Sequence, residues 1–167
     1  MALDATGSAA AIAALAAAAG WESVSIYLLS GDPVPLYADM SQPTQVLLDD
    51  WRRMFTPAMN LQARLCVLAG AASGVAAFGL RGENQTAAAA FGVAAACNAG
   101  IFWYTLAKIM PVNRRLLTPG QAEKAEGEPG VRSLLKQWGE MHGVRTAFGA
   151  VALAAAAYGT HALLTRS

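Results

Sequence analysis

Apolar residues gather into four long runs, parted by two long mixed segments and one short polar turn. The runs cover residues 9–29, 61–80, 86–107 and 144–164, each near the roughly 20 residues a helix needs to cross a hydrocarbon core. A soluble four-helix bundle would turn a polar stripe to water along each helix. Residues 87–97 and 148–158 carry no such stripe. The pattern therefore predicts an all-α, four-helix transmembrane bundle, with 1–167 forming a single integral membrane domain. Alanine dominates the first, third and fourth runs; small side chains let helices approach closely, which favours a tight bundle. The first run lacks the basic flank of a signal peptide and Glu22 interrupts its apolar end, so it reads as a retained helix.

The segments between the runs have patterns of their own. In residues 31–60, Asp32-Pro33-Val34-Pro35 blocks any continuing helix. Beyond Pro43, Leu47, Trp51, Met54 and Phe55 share one helical face while Asp49, Asp50, Arg52 and Arg53 lie elsewhere. That spacing predicts an amphipathic helix lying on the bundle or the bilayer surface and ending at Pro57. Residues 81–85 form a short turn, and the glycosylation sequon Asn84-Gln85-Thr86 abuts the membrane too closely to be used. Residues 108–141 read as a second long loop, with a charged, solvent-exposed stretch at 121–130. Its end carries Val131, Leu134, Leu135, Trp138 and Met141, an amphipathic lead-in continuous with the fourth run. Asn98, in the third run, is predicted to bond between helices.

Composition and charge narrow the class. The chain is 55% apolar and 14% charged, against roughly 45–50% and 25% for a soluble domain. A net charge of +1 gives no general attraction for nucleic acid, and the natural partner is the lipid bilayer, with small-residue faces also open to a homo-oligomer. Cys66 and Cys97 lie within apolar runs and have no metal-ligand spacing. The long segments and adjoining helix ends hold Arg52, Arg53, Arg64, Lys108, Arg114, Arg115, Lys124, Arg132, Lys136 and Arg145, against Arg81 and Arg166 on the other side. The positive-inside rule then puts both long loops in the cytoplasm and both termini opposite.

Candidate chemistry gathers at that same end. Glu22 closes the first run, Asn60 and Arg64 open the second, Asn113 and Arg114 follow the third, and His142 and Arg145 open the fourth. Trp138, His142 and Arg145 stand at i, i+4 and i+7, so one helical stripe holds an aromatic ring, an imidazole and a permanent cation. Such a gathering has the form of a pocket open to the interface. Its plainer alternative is that these groups solvate helix ends, with Arg64 snorkelling and the tryptophans anchoring at the headgroups. There is no nucleophile elbow, P-loop or dinucleotide fingerprint. His142 and His161 fall at opposite ends of a span and cannot share a metal; a haem or iron on His142 alone stays open.

The patches Trp51 to Phe55, Pro111-Val112-Asn113-Arg114-Arg115-Leu116 and Trp138-Gly139-Glu140-Met141-His142-Gly143-Val144-Arg145 resemble those of the anthrone oxygenase family. These are small four-helix membrane proteins of polyketide pathways, and the order of elements is similar along nearly the whole chain. The resemblance implies oxidation of a hydrophobic polycyclic aromatic substrate, an anthrone, to the anthraquinone with O2 and no cofactor. It implies His142 as the base, since an unperturbed imidazole titrates at about pH 6.5. Arg145 and Asn113, with Arg64 or Asn60, would hold the enolate oxygen; Trp138 and Trp51 would stack on the rings, with Arg114 beside them; Glu22 would orient His142 or share its proton. Two other classes compete. A transporter subunit would carry polar groups through the bilayer midplane, where Asn98 is nearly alone, and a structural partner would be indifferent to replacement of His142.

Overall fold

Helix periodicity and near-absence of β-forming patterns give an all-helical chain. The computed structural model describes residues 5–31, 37, 39–118 and 120–165. Helix α1 is Ala5–Ser30, α2 Thr44–Leu80, α3 Gln85–Tyr104, α4 Met110–Leu117 and α5 Gln121–Leu164. A π-turn, Thr105–Ile109, joins α3 to α4. Four stretches are long and apolar enough to cross a membrane: Ala5–Ser30, Thr44–Leu80, Gln85–Leu117 and Gly127–Leu164. Among the described residues there is no strand.

The four long helices form a ring. α1 packs against α2 and α5, α3 packs against their other flanks, and α2 and α5 face each other across the diagonal. Ile12, Val67, Leu68, Val75, Phe78, Val93, Trp103, Val151 and Tyr158 are exposed, so the outside of the bundle is apolar, as a hydrocarbon solvent requires. One end of the interior is filled by small side chains of Ala11, Ala14, Ala76, Ala87, Ala94 and Ala156 around Phe91 and Leu80. At that end a Cβ on Gly159 would lie 2.9 Å from Phe91 Cε2, so only glycine lets α5 and α3 approach this closely. The other end is built from large residues: Leu47, Leu48, Trp51, Phe55, Ile109, Leu116, Leu135 and Trp138.

Several expectations need correcting. Pro57 does not end the amphipathic helix; α2 runs through it without interruption. Pro57 and Arg53 are both exposed, so the Arg53 carbonyl freed by the missing N–H faces outward, where a polar surroundings can satisfy it. Residues 108–141 are not a loop either. The third span continues through the π-turn into α4, and α5 begins at Gln121 with a break at Gly127, φ 63° and ψ −179°. Gly127 supplies the left-handed turn and Pro129 suits the restarting helix, whose first turn needs no N–H from it. Asn98 bonds within its own helix, donating to the Ala94 carbonyl at 2.8 Å. Asn84 is buried, capping α3 through Ala87 N–H at 3.0 Å and donating to the Ala162 carbonyl at 3.0 Å. The Asp32-Pro33-Val34-Pro35 stretch and Arg166 lie outside the described residues.

Two arginines tie the large-residue end together. Arg132 on α5 is buried and donates to Thr44 Oγ1 at 3.1 Å, to the Tyr37 and Asp39 carbonyls at 2.9 Å each, and to the Gln42 carbonyl. Arg52 on α2 donates to the Leu116 carbonyl at 2.7 Å, satisfying a group at the C-terminus of α4 that lacks a helical partner.

Candidate functional site

Where the bundle changes from small to large side chains, α2, α3, the π-turn and α5 leave a cavity of about 260 Å³, just under the usual range of roughly 300–1,000 Å³ for ligand sites. Trp21, Phe55, Met59, Ile101, Phe102, Leu106 and Met110 make its apolar wall, and Asn60, Gln62, Thr105, Asn113 and Arg145 its polar points. Asn60, Ala63, Phe102 and Leu106 are also exposed on the outer surface, so the cavity opens sideways between α2 and the α3 end. The π-turn adds a residue to the helical repeat there and brings both Thr105 and Leu106 to the wall.

Arg145 is the centre of this arrangement. It is 6% exposed. Its Nη2 donates to Gln62 Oε1 at 2.6 Å and to His142 Nδ1 at 2.7 Å, and its Nη1 donates to Thr105 Oγ1 at 3.3 Å. Its Nε–H is buried without a partner, as is the Nε2 amide of Gln62. Among the described residues no carboxylate pairs with this guanidinium, and each hydrogen-bond acceptor around it is neutral. The Trp21 ring lies 5.6 Å from its Cζ. A buried cation so surrounded is costly unless something anionic joins it.

His142 is fully buried and stands one layer behind the cavity wall. Arginine can only donate, so His142 Nδ1 must offer a lone pair. The proton then sits on Nε2, which donates to the Ser25 carbonyl at 3.1 Å, with Ser25 Oγ 3.3 Å away. Ser25 Oγ and Thr146 Oγ1 are 2.7 Å apart, and Thr146 donates to the His142 carbonyl at 2.9 Å. Its ring is stacked on Trp138, with centroids 4.9 Å apart and planes at 7°. Both ring nitrogens are thus engaged by protein. His142, expected from the sequence to face the substrate, therefore stands behind Arg145 and is not among the residues that line the cavity. Among the described residues no three His, Cys, Asp or Glu side chains gather as a metal site.

The tryptophans are corrected in the same way. Trp138 and Trp51 are fully buried and do not line the cavity. Trp51 stacks on Phe55 at 4.6 Å, and Trp138 meets both edge-on at 5.4 and 5.5 Å. Trp138 Nε1 donates to Asn113 Oδ1 at 3.0 Å, which turns the Asn113 amide nitrogen toward Met110 Sδ, 3.8 Å away, on the cavity wall. The aromatic cluster therefore braces the site, and only Phe55 of the cluster reaches it. Glu22 does not meet His142: its Oε2 is buried with no partner, packed where a Gly149 Cβ would be. Arg64 and Arg114 are exposed and outside the cavity. Of the predicted residues, Arg145, Asn113 and Asn60 meet at the cavity.

Gln62 is not among the residues predicted from sequence. Phe55, Ala58, Gln62, Cys66 and Ala69 form the buried stripe of α2, so Gln62 is a polar residue in phase with the core, whereas Asn60 and Arg64 are out of phase. That phase was the available signal. Thr105 shares a face by spacing with Asn98 and Phe102, and both Phe102 and Thr105 line the cavity.

No curated protein and no solved structure matches the chain. The family model for anthrone oxygenase matches residues 51–155, a stretch running from Trp51 through Asn113 and Trp138 to beyond Arg145. Covering well over half of the chain, that match joins the three converging patches into one assignment: the chain belongs to the anthrone oxygenase family.

Proposed function

We propose that the cavity binds an anthrone-type aromatic polyketide and oxidises it with O2 to the anthraquinone. The observation that carries this reading is buried Arg145, which has no carboxylate partner among the described residues, beside an apolar, aromatic-walled cavity. Flat rings suit the walls of Phe55, Trp21 and Phe102, and a developing oxyanion suits the guanidinium.

An anthrone carries a carbonyl across the ring from a methylene. Loss of a methylene proton moves negative charge to that oxygen and makes the central ring aromatic. With the oxygen at Arg145 and Asn113, the anion is stabilised where its charge develops, and the proton passes to interfacial water at the cytoplasmic edge of the opening, beside exposed Asn60. The carbanion gives one electron to O2 and combines with the superoxide formed, making a C–O bond. Protonation yields a hydroperoxide. Loss of the remaining C–H proton with cleavage of O–O releases water and leaves the second carbonyl. One O2 is consumed, one oxygen atom enters the product and the other leaves as water. No cofactor enters this reading. His142 acts here by holding Arg145, and Trp138 by holding Asn113.

In the same reading the site end faces the cytoplasm, because Arg52, Arg53, Arg114, Arg115, Arg132 and Lys136 belong to that end. A hydrophobic substrate dissolved in the bilayer reaches the sideways opening directly. The test is 1,8-dihydroxyanthrone oxidation by protein in lipid nanodiscs, with O2 uptake and quinone absorbance recorded together. Equal uptake and product, well above the spontaneous rate, is expected; a rate no higher than empty nanodiscs overturns the reading.

A further inference from the structure

We infer that Gln62 is a third contact for the substrate oxygen, beside Arg145 and Asn113, and that its being an amide and not an acid sets the charge preference of the cavity. The inference rests on the function proposed above and adds a residue to it. Arg145 Nη2 donates to Gln62 Oε1 at 2.6 Å. Since arginine has no acceptor, this bond fixes the amide: oxygen toward Arg145, nitrogen away from it. The nitrogen so placed is buried and unpartnered, in a side chain that is 3% exposed and lines the cavity. Arg145 Nε is likewise buried and unpartnered, in another residue of the cavity lining. Two side chains that line one cavity and are tied to each other thus each hold an unmet N–H donor, and the Gln62 amide is the one we assign to a ligand oxygen.

The identity of residue 62 also decides the charge. A glutamate there would accept from Arg145 equally well and would compensate the buried cation. The chain instead carries the amide, which keeps the bond, adds a donor and leaves the positive charge for the ligand. The cavity therefore selects planar aromatic oxyanions, enolates and phenolates, over their neutral ketones and ethers. Selection of the charged form is also what accelerates its formation, and the neutral quinone product is released because it lacks that charge.

Gln62→Glu separates this role from that of a brace for Arg145. It keeps the acceptor, removes the donor and cancels the charge. Turnover of 1,8-dihydroxyanthrone is expected to fall about 10²–10³-fold, as for loss of an oxyanion donor. The 2-hydroxyanthraquinone phenolate, titrated under nitrogen by its visible band, should bind at least about tenfold more weakly, with little change for 2-methoxyanthraquinone. The variant should melt at or above wild type because Arg145 gains a counter-ion. Gln62→Leu, which removes donor and acceptor together, should lose turnover and melt lower. Wild-type turnover or phenolate affinity in Gln62→Glu overturns the inference, as does a lower melting temperature for that variant or unchanged turnover in Gln62→Leu. A wild-type protein that neither oxidises the anthrone nor binds the phenolate overturns the proposed function itself.

Discussion

Replacing His142 by phenylalanine and by asparagine distinguishes a positioning imidazole from a base. Phenylalanine preserves a flat ring on Trp138 but removes the acceptor 2.7 Å from Arg145 Nη2 and the donor 3.1 Å from the Ser25 carbonyl. A bond to a charged donor contributes about 1.5–3 kcal/mol, and the bond to the Ser25 carbonyl, which keeps its partner within α1, about 1 kcal/mol. His142→Phe should therefore destabilise the protein by about 2–4 kcal/mol, visible as a lower melting temperature in detergent. Arg145 retains only Gln62 and Thr105 as partners, and a displacement of about 1 Å would lower turnover by about 10²-fold. Asparagine cannot serve as a base, yet its oxygen takes the place of Nδ1 and still accepts from Arg145. His142→Asn should keep turnover within about tenfold of wild type, because the lost Ser25 bond, about 1 kcal/mol, lies away from the cavity. Initial rates of anthrone oxidation at saturating and limiting substrate, with melting curves, check both variants. If His142→Asn is as inactive as His142→Phe while still folded, the imidazole transfers a proton and the positioning account is refuted.

Other consequences are as specific. A Cβ at Gly149 would collide with Trp21 and with Glu22 Oε2; Gly149→Ala should cost about 1–3 kcal/mol and displace Trp21 from the cavity wall, read as a lower melting temperature and a raised KM. Arg132→Ala removes the bonds to Thr44 and to the Tyr37, Asp39 and Gln42 carbonyls. It should destabilise by about 2–4 kcal/mol and open residues 39–43 to protease, with little effect on turnover by the molecules still folded. Trp138→Phe keeps the aromatic packing but frees Asn113 Oδ1; a loss of about 1–2 kcal/mol and a turnover drop of less than about tenfold are expected.

The bundle was legible because its signals are local. Runs near the length of a bilayer and the lack of any polar stripe settle the element count without reference to tertiary contacts. The large-residue end was legible as three patches far apart in sequence, and Trp51, Asn113 and Trp138 do come together. What each residue does there was less accessible. A titratable or aromatic side chain announces chemistry wherever it sits, so His142, Trp138 and Trp51 drew the active roles, although burial puts them behind the wall. Gln62 announces nothing by type and is found only through its phase with Ala58, Cys66 and Ala69 on α2. Arg132 resembled any other cation of a charged segment, since its partners are backbone carbonyls of a distant loop. Pro57 and residues 108–118 were misread because proline and charge usually end helices, yet here neighbouring helices hold both segments in place.

The central claim is that Arg145 stabilises the substrate anion before oxygen reacts, and this step can be watched without oxygen. Under nitrogen in D2O, exchange of the anthrone methylene protons reports carbanion formation alone. The account predicts that wild-type protein accelerates this exchange well above the lipid background and that Arg145→Ala slows it by about 10²-fold or more. Exchange that is unaccelerated by a protein still active in air, or that is undiminished in Arg145→Ala, would contradict it.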